Sequence, residues 1–429
     1  MATTSSPLST DRKVSTARKA TATQGWTLAS ANWLAAVAAA VLAPVLPKIE
    51  QHFHTDPHVG VLISLVATLP ALFVAVCAWP AGLLADRFGT RRVLLFGVGV
   101  YGFMGCAPMV LNSLLGIVIT RAGVGIAESV IMVCTTALVA DYFCGNERER
   151  WLAVQTGGGG AVSVLMIALG GLLGHGSWRF PFIMYGVAFI LFPLCLFKTW
   201  EPARQKTIPA KNAGSEEALS TPAHLGSEKY NWAPVVVISF ITLFATTSYF
   251  VMLIQLSFIL TERGVTDSGT VGLACAAAVL FLPLGSIAFK LMHLPVAGKL
   301  TVSFSLSAVG FFVLALSHSF LFTEVGAAIN GLGSGMVLPT LATWVLSKMT
   351  SEVRARGTGI WQTFLFMGMF ISPLTILFLK NSLGSLSEAV LVFGIALSIA
   401  AIIAVILYIR TGLQLRAGEV DADCVEVTE

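Results

Sequence analysis

Charged residues are scarce in this chain of 429 residues: Asp, Glu, Lys and Arg make up only 11% of it, whereas hydrophobic residues make up 56%. A soluble domain carries about 25% charged residues. This deficit excludes a water-soluble globular protein and indicates a protein that lies within a membrane.

Cysteine motifs are also missing, and no cleavable leader is expected. The seven cysteines show no CxxC spacing, so neither a disulfide framework nor a zinc site is expected. Residues 1–25 are basic and rich in Ser and Thr, without the apolar core of a signal peptide. We expect them to form a disordered cytoplasmic tail.

Long runs without charge are what the chain has instead, and they are long enough to cross about 30 Å of hydrocarbon. Dividing these runs at turn signals predicts an all-α membrane protein with twelve transmembrane helices. The predicted spans begin near residues 26, 59, 93, 114, 151, 180, 232, 269, 299, 321, 357 and 388.

Lysine and arginine are distributed unevenly between the two sides of these spans. If both termini are cytoplasmic, Arg121 lies inside a span and 21 of the 26 basic residues are cytoplasmic. The remaining four, Lys48, Arg179, Arg263 and Lys380, face outward. This excess predicts a multi-pass protein of the bacterial inner membrane with cytoplasmic termini. The net charge of +4 then reflects topology, so no nucleic-acid partner is expected.

A polar, charged linker at residues 199–231 divides the spans into two sets of six. The predicted organisation is a first bundle at 26–198, a second bundle at 232–410 and a cytoplasmic tail at 411–429. Two halves of similar length suggest an internal duplication. The pairs Arg148/Arg150 and Arg354/Arg356, which follow spans 4 and 10, support it.

A cluster of charge and glycine lies between spans 2 and 3, and it reads Gly82-Leu-Leu-Ala-Asp86-Arg87-Phe-Gly89-Thr-Arg91-Arg92. Asp86 can cap a neighbouring helix N-terminus, and the arginines can hold the loop at the cytoplasmic surface. The glycines permit helices and a turn to approach closely. After span 8, the corresponding segment has Phe289 in place of the aspartate.

This pattern resembles the GxxxDRxGxR signature of the major facilitator superfamily of transporters. With span count, linker and orientation, the resemblance covers about Trp26 to Arg410. It implies two pseudo-symmetric six-helix bundles that rock about a central cavity by alternating access. It also implies a conformational latch of the outward-facing state at the start of span 11, formed by Gly82, Asp86, Arg87, Gly89, Arg91, Arg92, Arg150 and Arg356.

Span 4 contains two ionisable residues, Arg121 and Glu128, whose separation places them on one helix face about 10 Å apart. Each costs about 2.5 to 3.5 kcal/mol at the bilayer centre, so both should face protein or water. We predict that Glu128 carries the coupling proton, and that Arg121 tunes its protonation or binds an anionic substrate group. A structural pair that holds span 4 in the bundle is the alternative.

The surroundings of this pair resemble proton-coupled members of the family, and Glu128 is similar to a glutamate of Spinster-type and organic-anion members. Span 1 lacks the Asp-Arg pair of the Spinster group. Span 5 has Met166 and Ile167 where drug/proton antiporters often carry Gly and Pro. The resemblance therefore leaves the subgroup open.

Polar side chains on the cavity-lining spans 1, 7, 10 and 11 are candidate substrate contacts: Asn32, Tyr249, Gln255, Asn330 and Gln362. Interhelical hydrogen bonds are the alternative for each. Spans 7 to 12 contain no clearly mid-membrane charge, so the cavity suits an amphiphilic or hydrophobic ligand. The loop histidines His52, His54 and His58 are expected to be solvated, and no metal site is predicted.

The leading hypothesis is a proton-driven exporter of small amphiphilic molecules, such as drugs, siderophores or lipophilic metabolites. A proton-coupled importer of organic anions, with Arg121 as the carboxylate clamp, is the main alternative, beside a lipid or lysolipid transporter. A membrane-embedded enzyme or a receptor is less favoured, because no catalytic grouping lies at a membrane interface. The expected partners are a small-molecule substrate and the bilayer, with no cofactor besides the proton, and the protein is expected to be a monomer.

Overall fold

The computed structural model describes residues 20–202, 231–349 and 353–425, with the backbone alone at 39, 354–356 and 411–425. These residues form twelve helices that are long and apolar enough to cross a membrane, and none of them forms a strand. The helices are α1 Ala22–His52, α2 Val59–Phe88, α3 Thr90–Met109, α4 Leu114–Tyr142, α5 Gly145–Gly174, α6 Phe180–Lys198, α7 Ala233–Glu262, α8 Ser268–Leu291, α9 Val296–Leu316, α10 Phe320–Ser347, α11 Arg354–Leu383 and α12 Leu386–Val425. Within α12, the candidate membrane span is Leu386–Arg410.

The predicted fold class and the twelve spans are confirmed. The largest difference in a starting point is at α5, which begins at Gly145 rather than near residue 151. A 30-residue helix is about 45 Å long at 1.5 Å per residue, which exceeds the hydrocarbon thickness. Its charged first turns therefore extend beyond the apolar region from which the span was predicted.

Helix α1 is interrupted, with helical pieces Ala22–Asn32, Leu34–Ala40 and Leu46–His52 and a 3₁₀ turn at Ala43–Val45. Pro44 and Pro47 lack a backbone N–H and prevent a regular helix here. All three residues of the 3₁₀ turn are buried. Irregular backbone is tolerated in a membrane where protein surrounds it, and that condition is met.

Each half of the chain contributes an apolar core of its own. The first core consists of buried residues between Leu28 and Leu191, together with Ile254. The second consists of buried residues between Val235 and Ala404, together with Ala40 and Ile167. Ile254, Ala40 and Ile167 each belong to one bundle but pack in the core of the other. They therefore mark places where the two bundles pack against each other.

The two ends of the molecule differ in how closely the bundles approach. The end that carries Gly89, Lys198 and Trp232 is termed the linker face, and the end that carries His52 and His175 the opposite face. Toward the opposite face, a Cβ atom on Gly272 of α8 would lie 2.6 Å from the Cα of Gly171 of α5. Thr68 of α2 also donates a hydrogen bond of 3.3 Å to the carbonyl of Phe370 in α11. These contacts close the two bundles against each other toward the opposite face, where a cavity of about 440 Å³ remains between them near Lys48 and Glu262.

Charged contacts accompany this closure. His175 Nε2 lies 3.3 Å from Asp267 Oδ1 across the two bundles, and Lys380 Nζ lies 3.1 Å from Glu262 Oε1. The backbone amide and hydroxyl of Thr270 hold the pKa of Asp267 below its usual value, so its carboxylate stays charged. The His175 and Asp267 side chains are 74% and 42% exposed, and such exposed pairs contribute little. Close packing of small residues therefore holds this face closed.

Gly272→Val tests the dependence of closure on the glycine contact. The added side chain would force α5 and α8 apart, at an overpacking cost of about 1 to 3 kcal/mol, or about 5- to 150-fold in the population of the closed arrangement. A cysteine introduced at Ser64, which is 8% exposed, should then react faster with an impermeant maleimide added to the opposite face. The native cysteines would be replaced by serine.

Gly160→Val is the matched control, because a Cβ atom at Gly160 of α5 would meet nothing within 4 Å. Labelling should stay at the parent rate in this variant. Equal rates in the parent and the Gly272 variant would contradict the packing argument.

Candidate functional site

Arg121 lies completely buried in the first bundle, on the inner face of α4. Its Nη1 donates a 2.7 Å hydrogen bond to the hydroxyl of Tyr185. The guanidinium carbon lies 4.7 Å from the centre of the Tyr185 ring and 5.5 Å from that of Phe182. Two aromatic faces of α6 and one hydroxyl therefore stabilise the cation.

The same hydroxyl reaches a third helix. Tyr185 donates to the carbonyl of Ala38 at 3.2 Å, and Tyr101 of α3 donates to the carbonyl of Leu34 at 2.6 Å. Both carbonyls belong to the interrupted helix α1. Arg121 is thereby connected through Tyr185 to the irregular part of α1.

The remaining nitrogens of Arg121, Nε and Nη2, have no hydrogen-bond partner among the described residues. Within those residues no ion pair joins Arg121 to Glu128 either, although both are buried on the same helix, as predicted. In this conformation Arg121 is enclosed by protein, so an anionic substrate in the cavity would not touch it.

Glu128 lies nearly two turns closer to the linker face and is 7% exposed. The next residue, Ser129, lines a cavity, whereas Gly125 packs against the backbone of Pro70 in α2, where a Cβ atom would come within 2.6 Å. Glu128 therefore precedes the cavity wall in sequence but does not itself line the cavity. Its carboxylate is shielded from solvent.

The cavity beside Glu128 has a volume of about 500 Å³ and lies between α2, α4 and α11 in the half of the molecule toward the linker face. Most of its lining is apolar, with polar groups from Ser129, Gln362 and Thr363. Trp79 of α2 also lines the cavity and is 75% exposed. Such a composition accommodates a largely apolar molecule with a few hydrogen-bonding groups.

The predicted cavity residues are dispersed. Gln362 lines the large cavity, and Gln255 lines a cavity of about 50 Å³ toward the opposite face. Tyr249 packs edge-on against Phe250 with ring centres 4.9 Å apart. Asn32 accepts a 3.1 Å hydrogen bond from Thr135, which joins α1 to α4.

Asn330 lies in the packed contact between α9 and α10 rather than on any of the cavities described above. Its side chain is completely buried and donates a 3.1 Å hydrogen bond to the carbonyl of Ser307. A Cβ atom on Gly310 would lie 2.7 Å from the Asn330 Cβ, so the two helices are in close contact here. Asn330 acts as an interhelical hydrogen-bond donor in this conformation.

The predicted latch hairpin joins α2 to α3 through Gly89, whose φ of 97° favours glycine. The close approach expected at Gly82 is absent, because a Cβ atom there would meet nothing within 4 Å. Arg87 and Arg150 lie over the neighbouring rings of Phe88 and Trp151, at 5.5 Å and 5.9 Å. Asp86 and Arg92 are exposed, and the side chain of Arg356 lies outside the described part of the chain.

Glu201 provides the contact that sequence analysis missed at this hairpin. Its Oε1 accepts from the Thr90 amide at 2.7 Å and its Oε2 from the Arg91 amide at 3.0 Å. Glu201 therefore caps α3. No spacing signal reveals it, because Glu201 lies in the polar stretch assigned to the linker.

Glu324 is a second residue that sequence analysis overlooked. It lies near the opposite-face end of α10, is half-buried, and its Oε1 has no hydrogen-bond partner among the described residues. The second bundle thus carries an ionisable group within its membrane span, although away from the bilayer centre.

Twelve apolar helices, a face closed by small residues and an apolar cavity toward the other face define a membrane transporter rather than an enzyme. A model of the Major Facilitator Superfamily matches residues 28–373. The chain therefore belongs to this superfamily, as its motif around Asp86 predicted.

The quinolone resistance protein NorB of Staphylococcus aureus (strain JH9) is a relative in sequence. The two chains are 30% identical over 172 residues, which cover 39% of this chain and 35% of NorB. The similarity thus spans about a third of the length of the curated relatives that match.

Solved structures resemble this one in fold. A bacterial homologue of the human lysosomal transporter Spinster, in an inward-facing and occupied conformation, superposes with a TM-score of 0.71 at 14% identity, over 91% of this chain and 97% of the other. A POT family transporter in complex with 5-aminolevulinic acid gives a TM-score of 0.67 at 14% identity, over 90% and 96%. At these identities the likeness concerns the fold alone.

Tyr185→Phe tests the role of the hydroxyl beside Arg121. The variant keeps the ring but removes the one hydrogen bond that Arg121 makes with the described residues and the donor to Ala38, so it should destabilise the protein by about 1 to 3 kcal/mol. The midpoint of thermal unfolding of the detergent-solubilised protein measures this loss. Tyr408→Phe, at a side chain that is 40% exposed, is the control and should leave the midpoint unchanged. Equal midpoints for both variants would contradict the assignment.

Proposed function

We propose that this transporter exports small amphiphilic organic molecules, such as drugs, siderophores or lipophilic metabolites, in exchange for protons by alternating access. The observation that carries the proposal is a buried carboxylate, Glu128, one residue before Ser129 in the wall of a largely apolar cavity of about 500 Å³. The cavity suits the substrate class, and the carboxylate suits the coupling ion.

A buried carboxylate is costly in its charged form, so its protonation depends on what surrounds it. A substrate that enters the cavity beside Ser129 would change the solvation of the neighbouring Glu128. Opening of the opposite face would expose the same group to a different proton concentration. Glu128 can therefore couple the two fluxes without direct contact between proton and substrate.

The conformation supports export if the linker face is cytoplasmic, as the distribution of lysine and arginine predicts. Closure at Gly171 and Gly272 then seals the outer side, and the large cavity lies toward the cytoplasm, from which an exporter loads its substrate. We place the protein in the bacterial inner membrane as a monomer with cytoplasmic termini. The name of NorB agrees with drug export, although the similarity covers only part of both chains.

Proton-coupled import of organic anions is the alternative, because Arg121 is a completely buried cation in the first bundle. Its enclosure by Tyr185 and Phe182 argues against a carboxylate clamp in this conformation. Import would require a rearrangement that brings the guanidinium to the cavity. A lipid or lysolipid substrate would fit the apolar lining equally well, and the transport assay distinguishes these classes.

Glu128→Gln should abolish coupling while it preserves the fold, because the amide keeps the shape of the side chain but carries no titratable proton. The measurement uses everted vesicles with an acidified lumen and a pH-sensitive dye, to which cationic, neutral and anionic amphiphiles are added singly. Proton release with a substrate should occur for the parent and be absent for the variant.

Glu147→Gln, at an exposed carboxylate in the first turn of α5, is the matched control and should release protons like the parent. Substrate-dependent release that persists in Glu128→Gln would refute the assigned role. No release from the parent with any amphiphile, together with uptake of carboxylates, would favour the importer.

Asp86→Asn should slow conformational cycling without a large change in substrate affinity. The predicted latch places the Asp86 carboxylate at the start of α11, where a carboxylate near a helix N-terminus contributes about 0.3 to 1 kcal/mol, and the neutral amide loses most of this. Turnover in vesicles should fall while the dissociation constant in detergent stays near the parent value. Glu149→Gln, an exposed change on the same face, should alter neither quantity. Unchanged turnover in Asp86→Asn would contradict the latch.

A further inference from the structure

Two cavities toward the opposite face share part of their lining. The outer cavity, of about 440 Å³, lies between the two bundles, and the inner cavity, of about 50 Å³, lies beside Ser64 and Gln255. Glu50 of α1, Phe258 of α7 and Lys380 of α11 line both of them. Glu50 therefore lies where the outer cavity meets the inner one.

Two carboxylates share one ammonium group at this place. Lys380 Nζ lies 3.1 Å from Glu262 Oε1, and both residues belong to the second bundle. Glu50 belongs to the first bundle, and it is attracted electrostatically by Lys380 and repelled by Glu262. Within the described residues no ion pair joins Glu50 to Lys380. The lysine is thus already paired, and Glu50 adds a surplus negative charge across the contact between the bundles.

The other titratable and charged groups around Glu50 do not offset this charge. Lys48 lines the outer cavity, but its ammonium group donates to two carbonyls at the end of α5, at 3.0 Å and 3.4 Å. His54 also lines the outer cavity, and Asp56 and His58, in the loop before α2, line neither cavity. The parts of α2, α8 and α12 that line the two cavities carry no charged side chain.

Closure of the opposite face places the Glu50 carboxylate between the bundles. Glu50 is half-buried in this closed arrangement, so closure removes part of the water that would solvate its charge. An uncharged carboxyl group avoids this cost and is not repelled by Glu262. Binding of a proton to Glu50 therefore favours closure, and loss of the proton favours opening.

We propose that Glu50 is a proton-binding site that is loaded from the opposite face, and that its protonation allows the two bundles to close there. The site is separate from Glu128 of α4, and it acts whichever substrate is carried and in whichever direction. In the exporter proposed above, a proton at Glu50 would return the empty transporter to the arrangement that is open at the linker face.

Labelling of a cysteine introduced at Ser64 tests the proposal in the full-length protein, with the native cysteines replaced by serine. An impermeant maleimide is added to the opposite face, and each rate is divided by that of the unfolded protein at the same pH. Glu50→Gln, which is uncharged at every pH, should react about fivefold more slowly than the parent at about pH 8, the lower end of the coupling between two linked equilibria. The parent rate should fall toward that of the variant as the pH is lowered to about 5, because Glu50 then gains its proton.

Glu262→Gln tests the count of charges by an independent route. It leaves one lysine for one carboxylate, so a charged Glu50 can pair with Lys380 in the closed arrangement, and a rise in pH should no longer speed labelling. Glu388→Gln, at an exposed carboxylate of the same face that lines neither cavity, is the matched control. It should keep the rates and the pH dependence of the parent.

Faster labelling of Glu50→Gln than of the parent would overturn the proposal and assign Glu50 to a pair that holds the face closed. Equal rates in the parent and Glu50→Gln at every pH would overturn it as well, and an equal effect of Glu388→Gln would assign the change to diffuse surface charge. Loss of the pH dependence in His175→Gln but not in Glu50→Gln would place the proton on that imidazole instead. Thermal midpoints equal to the parent establish that each variant is folded. The assay uses neither substrate nor a proton gradient, so failure of the proposed export would leave its results unchanged.

Discussion

The hydroxyl of Tyr185 joins three helices of the first bundle, and the arrangement around the candidate site depends on it. It accepts from Arg121 of α4 and donates to Ala38 of α1, while its own backbone belongs to α6. A hydrocarbon environment supplies no alternative partners for a guanidinium or for the carbonyls of an interrupted helix. The irregular α1 and the buried charge on α4 are therefore stabilised together, and a change in one affects the other.

This connection separates the roles of the two ionisable residues on α4. Arg121 is fixed in the packed interior of the first bundle, whereas Glu128 lies where α4 meets the cavity. If Glu128 carries the proton, as we propose, its protonation changes the charge of α4 near the cavity, and Arg121 connects α4 to α1 and α6 through Tyr185. Coupling by this route needs movement of helices rather than transfer of a proton between the two side chains, since no ion pair joins them in the described residues.

The positions of the helices follow from the sequence because exclusion of charge from hydrocarbon acts locally along the chain. Eleven of the twelve starting points therefore needed little correction, and α5 differed because its charged first turns project beyond the bilayer. The partners of individual side chains depend on distant segments. Asn330 is buried because Gly310, which has no side chain, lets α9 pack closely against α10. Glu201 caps α3 from a segment whose composition predicted a linker. The open space at Gly82 likewise depends on the conformation, which no sequence pattern specifies.

The contacts of Glu201 also change how the hairpin between α2 and α3 can work. The carboxylate that caps α3 is followed directly by the chain that leads to the second bundle, and Arg91 of the same hairpin donates to the carbonyl of Leu196 at 2.6 Å. The hairpin is thus hydrogen-bonded both to the end of α6 and to Glu201, which follows that helix. The closed opposite face, in contrast, relies on glycine packing, and the exposed pair of His175 and Asp267 contributes little. We therefore expect the bundles to separate at the opposite face at modest cost, with the first bundle, held together at the linker face by Glu201, moving as one body.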